Sequence, residues 1–175
     1  MSHDDLAAWE GFAVAIAGAS AVLAGLIFVA VSINIDRILA VPGLPGRAGE
    51  NVILYIAGLC ECAFVLMPHQ PIRALAIELL AIGILVWGIV SAIVINTLRQ
   101  PSQQPSTWHA TRVVSTQLAT LPIIVAGASL LGWPAGGLYW FVGGVLIAIV
   151  VATANAWVLL VEVVRDRRYR SESSP

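Results

Sequence analysis

The stretch GFAVAIAGASAVLAGLIFVAVSINI, residues 11–35, decides the fold class. It carries no charge, and it exceeds the roughly 20 apolar residues a helix needs to cross a hydrocarbon core about 30 Å thick. Four further apolar runs follow. Asn51 to Met67 contains Glu61 and can be extended inward through Arg47–Glu50. The third begins near Pro71, a good first-turn residue, and is uncharged from Leu79 to Leu98. The fourth runs from about Val113 to Leu131 and the fifth from about Leu138 to Val161.

Lipid offers no partner to a bare backbone amide, so each run must be a helix or part of a closed barrel. Their lengths and the lack of alternation at period two select helices. The chain is therefore expected to be an all-α polytopic membrane protein with five transmembrane helices. One domain covers residues 1–170, and residues 171–175 form a disordered tail. Composition agrees: 59% hydrophobic residues, 11% charged residues and a mean hydropathy of +0.89 leave too little polar material to coat a soluble fold of 175 residues. The acidic start Met1-Ser2-His3-Asp4-Asp5 and the long run behind it point to a retained first helix rather than a cleaved signal.

Arginine placement predicts orientation, because basic residues concentrate in cytoplasmic connections. Of the nine basic residues, all arginine, only Arg73 falls in a connection on the N-terminal side. Arg37, Arg47, Arg99, Arg112, Arg165, Arg167, Arg168 and Arg170 fall on the other. This puts the N-terminus outside and the C-terminus in the cytoplasm. Trp9, Trp133, Tyr139 and Trp140 then become outer-interface anchors, with Trp108 and Tyr169 at the inner one.

Glu61 and Glu78 carry the functional expectation. Both are equally far from the centre of the turn Pro68-His69-Gln70-Pro71, so an antiparallel hairpin sets them level, about 10 Å below the outer surface. Charge at that depth is costly and usually faces protein or water. Three readings are open: a shared proton- or cation-binding site, a structural pair that recruits Arg73, or placement among headgroups. Gly18, Ser20, Gly127, Gly143 and Gly144 lie at similar depth and would leave room for water.

Small residues let membrane helices approach closely. Gly144, Ala148, Ala152 and Ala156 form such a row on the fifth helix; Ala13, Ala17, Ala21 and Gly25 form another on the first. They predict tight packing between these helices, within one subunit or across two, and so a homo-oligomer. Pro122 removes a backbone donor from the fourth helix near Gln117 and Thr120 and should kink it. Cys60 and Cys62 point to different helix faces, which argues against a disulfide.

No phosphate loop, nucleophile–base set or zinc spacing is present, and no basic face suits nucleic acid. The expectation is a non-enzyme without metal or cofactor.

The segment Ala17–Asn34, the motif Leu44-Pro45-Gly46-Arg47-Ala48-Gly49-Glu50 and the ending Asn155-Ala156-Trp157-Val158-Leu159-Leu160-Val161-Glu162 resemble a family of small, largely uncharacterised bacterial integral membrane proteins. Some of its members are labelled as modulators of a membrane-bound AAA protease. The resemblance implies a bacterial inner-membrane location and brings no catalytic or binding residues with it. Two functions follow as expectations: a small proton or cation channel or transporter-like protein using Glu61 and Glu78, or a non-catalytic accessory subunit that binds another membrane protein through its small-residue rows.

Overall fold

The computed structural model describes residues 8–41, 43–99, 106–134 and 136–172, with the side chains of 106–109 and 162–172 outside the description. The described chain is helical: α1 Glu10–Ile33, α2 Ile35–Ala40, α3 Leu44–Val65, α4 Ile72–Leu98, α5 Ser106–Leu130 and α6 Tyr139–Glu172. Five of these contain segments long and apolar enough to cross a membrane: Glu10–Ile33, Leu44–Val65, Ile72–Leu98, Ala110–Leu130 and Tyr139–Val161. The chain is thus a multi-pass helical protein by length and composition. α6 continues through Ser171 to Glu172, where a disordered tail was expected; residues 173–175 lie outside the described residues, as do the side chains of the anchors Trp108 and Tyr169.

Packing sorts the helices into a ring and an outlier. α3 packs on α4, α4 on α5, α5 on α6 and α6 back on α3, while α1 lies against α3 from outside. Accordingly 56% of the α3 span is buried but only 11% of the α1 span, whose remaining surface is apolar and suited to lipid. α2 is a short turn of helix at the end of the bundle that carries Arg37, Arg47, Arg99 and Arg112, hereafter the arginine end. The opposite, turn end carries the α3–α4 and α5–α6 connections, where Trp9 meets Tyr139 edge-on at 5.2 Å.

The small-residue rows are used unequally. Four-residue steps advance about 40° around a helix, so such a row winds off any single neighbour. On α6 this carries it from one helix to the next. A Cβ on Gly144 would lie 2.7 Å from Ile123 and 3.1 Å from Pro122 of α5, whereas Ala152 and Ala156 face Asn51 of α3. On α1 the buried residues are instead Ala13, Ser20 and Ile27, a seven-residue line that stays on α3. Ala17 is half-buried beside that line. Ala21 and Gly25 are exposed, and within the described chain α1 lies mainly on α3 rather than on α6.

The closest backbone approach joins α4 to α5. A Cβ on Gly127 would sit 2.6 Å from the Leu80 nitrogen and 2.9 Å from the Ala76 carbonyl oxygen, so only glycine fits. Pro122 is accommodated inside an α5 assigned as continuous helix. Gly127→Ala is expected to destabilise the protein by about 1–3 kcal/mol, because the α4 backbone must move. Gly18→Ala and Gly143→Ala, where a Cβ meets nothing within 4 Å, should be neutral or stabilising. Thermal unfolding in detergent checks the contrast.

Candidate functional site

The polar content of the ring interior is set by where α3 begins. Gly43 adopts a left-handed conformation (φ 86°), and Pro45 follows in the first helical turn. Helix therefore starts at Leu44 and takes in the whole Arg47–Glu50 segment. One inward face then carries Arg47, Glu50, Asn51, Leu54, Gly58 and Glu61, at helical spacing, and all six are buried.

Toward the arginine end, Glu50 is fully buried and held from α5. Arg112 Nη2 donates to its Oε2 at 3.0 Å, and Thr116 Oγ1 donates to its Oε1 at 3.1 Å. Asn51, with its amide turned to satisfy both contacts, donates to the Ala152 carbonyl and accepts from the Ala156 N–H, each at 3.2 Å. Tyr55 hydrogen-bonds to Thr153 at 3.0 Å. α3 is thus pinned to both α5 and α6. The second terminal nitrogen of Arg112, Nη1, is buried without a partner among the described residues. Thr120, one turn further along α5, donates to the Thr116 carbonyl at 2.9 Å.

One turn before the end of α3, Glu61 is 4% exposed and makes no hydrogen bond or ion pair with any described residue. It borders a cavity of ≈ 10 Å³, as traced by the centre of a water-sized sphere. That is about the minimum that admits one water. Gly58, Gly83, Val86, Thr120, Ile123 and Ala148 complete most of the wall. All four ring helices contribute, and Thr120 is its hydroxyl-bearing member.

Glu78 goes elsewhere. It is half-buried and accepts a hydrogen bond from the buried amide of Gln70, which sits in the α3–α4 turn beside His69 in its left-handed conformation (φ 56°). No hydrogen bond joins Glu61 to Glu78 among the described residues. The reason is angular: the buried stripe of α4 is Leu75, Leu79, Gly83, Val86, Val90 and Val94, and Glu78 lies about 100° around the helix from Leu79. Equal depth in the hairpin does not give an equal face.

The small residues expected to make room behave differently from one another. Gly127 and Gly144 are filled by neighbouring helices, Gly18 and Gly143 meet open space, and Ser20 is buried against Gly58. Gly58 and Gly83 line the cavity instead, with Ser20 and Ile124 packed where their Cβ atoms would be. Gln117 accepts from the Trp87 indole at 2.7 Å on the outer side of the α4–α5 contact. Cys60 and Cys62 are free thiols, and no group of three or more metal-ligating side chains occurs among the described residues.

The Glu50–Arg112 pair was missed in the sequence because Glu50 was treated as an extension of a shorter helix. The available signal was the Pro45 start, which places Glu50 two turns inside. The chain matches no protein-family model, no curated protein and no solved structure.

Arg112→Met leaves a buried carboxylate unpaired and should cost about 3–5 kcal/mol, whereas adding Glu50→Met should recover most of that loss, since apolar replacement of a whole buried pair is often close to neutral. A double-mutant cycle in thermal stability, in detergent, measures the coupling.

Proposed function

We propose that this protein is a small proton- or cation-conducting membrane protein whose ion-binding group is the carboxyl of Glu61. The observation that supports it most is Glu61 itself: an acid inside a four-helix ring with no described counter-charge, set at a cavity of water size. An isolated carboxylate is too costly at such a place, so a proton or a cation must neutralise it. A structural acid would instead be expected to have a fixed partner, as Glu50 has Arg112. Glu78, assigned as the second binding group on hairpin symmetry, takes a different role here: it ties the α3–α4 turn through Gln70. The N-terminus outside and the arginine end in the cytoplasm follow from the basic-residue rule. A bacterial inner membrane rests on the resemblance alone.

A second reading is favoured by one observation. Gly18, Ala21 and Gly25 leave the free face of α1 thin, with open space where a Cβ would be at both glycines. A second copy of the chain or another membrane protein would pack there, which suits a non-catalytic accessory subunit.

Reconstituted into liposomes, the protein should collapse a pH or cation gradient. Glu61→Gln should reduce the flux to that of protein-free vesicles, while Glu78→Gln retains it. Absence of flux from the wild type, together with loss of a co-purifying partner in Gly25→Leu, would favour the accessory-subunit reading.

A further inference from the structure

The two directions leading away from Glu61 are chemically unlike. Toward the turn end the interior is filled by Val65, Leu75, Leu138 and Phe141, all buried. None of these four offers a hydroxyl, amide or charge, and the polar groups beyond them, Gln70 and Glu78, bond to each other at the α3–α4 turn. Toward the arginine end the interior holds Thr120, Thr116, Glu50 and Arg112. Glu50 and Glu61 are eleven residues apart on one helix face, roughly 16 Å, and the two threonines span about 6 Å of that interval.

We propose that Glu61 exchanges its proton with one side of the membrane only, through Thr120, Thr116 and the Glu50–Arg112 pair at the arginine end, and that the opposite end is closed by the Phe141 layer. The proposal rests on the reading of Glu61 as the proton-binding group. Three observations carry it: Thr120 lines the Glu61 cavity, Thr116 contacts Glu50, and Arg112 Nη1 is a buried donor without an acceptor among the described residues. That orphaned donor is a ready site for a water.

The proton balance is simple. Glu61 gives its proton to a water beside it, that water gives one to the Thr116 oxygen, and the Thr116 O–H bond breaks toward Glu50. Water and hydroxyl are therefore unchanged, and Glu50 becomes an acid with a weakened hold on Arg112; Glu50 then releases that proton to water at the arginine end. Glu61 loses one proton, and rotation of the Thr116 hydroxyl resets the chain for the next transfer in either direction. Thr120 and Thr116 each keep acceptor capacity beyond the bond they donate.

The neighbours of both acids are defined. Glu61 faces Gly83 and Val86 of α4, Thr120 and Ile123 of α5 and Ala148 of α6, with Ser20 of α1 behind Gly58 and the Cys62 thiol on its own helix. None of these is charged. Glu50 faces Arg112 and Thr116 of α5, with Arg47 one turn away on α3. Asn51, next to Glu50 on α3, is fully buried and turns its amide to α6.

The test uses the intact protein in vesicles of uniform orientation, with dicyclohexylcarbodiimide as the probe. This reagent modifies protonated carboxyls in apolar surroundings, and mass spectrometry reads the label on Glu61. With pH set separately on each side, labelling should follow the pH at the arginine end and ignore the other. After a pH jump there, Thr120→Val should slow the change in labelling about tenfold, equal to about 1.4 kcal/mol of barrier, and Thr120→Ser should restore it. Valine is close to threonine in shape, and the Thr120 hydroxyl bonds only within its own helix, so the fold is retained. Labelling that follows the pH at the turn end, or a Thr120→Val protein as fast as wild type, overturns the one-sided route while leaving Glu61 as the site. No labelling of Glu61 at any pH removes the underlying functional reading as well.

Discussion

A charge carried into an apolar slab has to be neutralised, and for Glu50 of α3 the neutralising charge is Arg112 of α5 inside the ring. Much of the interior arrangement follows from that contact. It fixes the rotation of α3, so the same face that presents Glu50 also presents Glu61 one and a half membrane-helix widths further along. It fixes α5 as well, turning Thr116 and Thr120 inward. Asn51 completes the restraint by holding α6 through its backbone. Without a hydrophobic drive between helices in lipid, such polar ties and the close approaches at Gly127 and Gly144 are what specify the bundle.

The interior is layered in consequence. An apolar layer around Phe141 and Leu75 fills the turn end, the Glu61 cavity lies beneath it, and the threonines lead to the buried ion pair. A purely structural bundle would gain nothing from an unpaired acid between a sealed layer and a hydroxyl-lined one. Glu50 shows what a structural acid in this protein looks like, with both oxygens occupied.

Much of the fold was legible in the sequence because a bilayer imposes length and apolarity on every span. Residues 11–35 and their four successors could only be helices, and the short PHQP turn made α3 and α4 neighbours. What stayed hidden was rotation about the helix axes. Counting from the turn levels Glu61 with Glu78 but does not say that Glu78 lies off the Leu75–Leu79–Gly83 stripe. A row of small residues at four-residue spacing looks like a seam, yet on α1 it winds away from α3 after Ala17, and the heptad line Ala13–Ser20–Ile27 takes its place. Glu50 is hidden for a related reason: Arg47–Glu50 reads as the inward extension of a shorter helix, whereas Gly43 and Pro45 start the helix ahead of it and bring Glu50 well inside.

The central claim is that Glu61 is an exchangeable carboxyl enclosed by the ring, and infrared difference spectroscopy of the reconstituted protein tests it most directly. The account predicts a carbonyl stretch from a protonated carboxylic acid that vanishes in Glu61→Gln, persists in Glu78→Gln and shifts when the vesicles are moved into heavy water. A spectrum in which Glu61→Gln matches the wild type, or in which the Glu61 band is unmoved by heavy water, would contradict it.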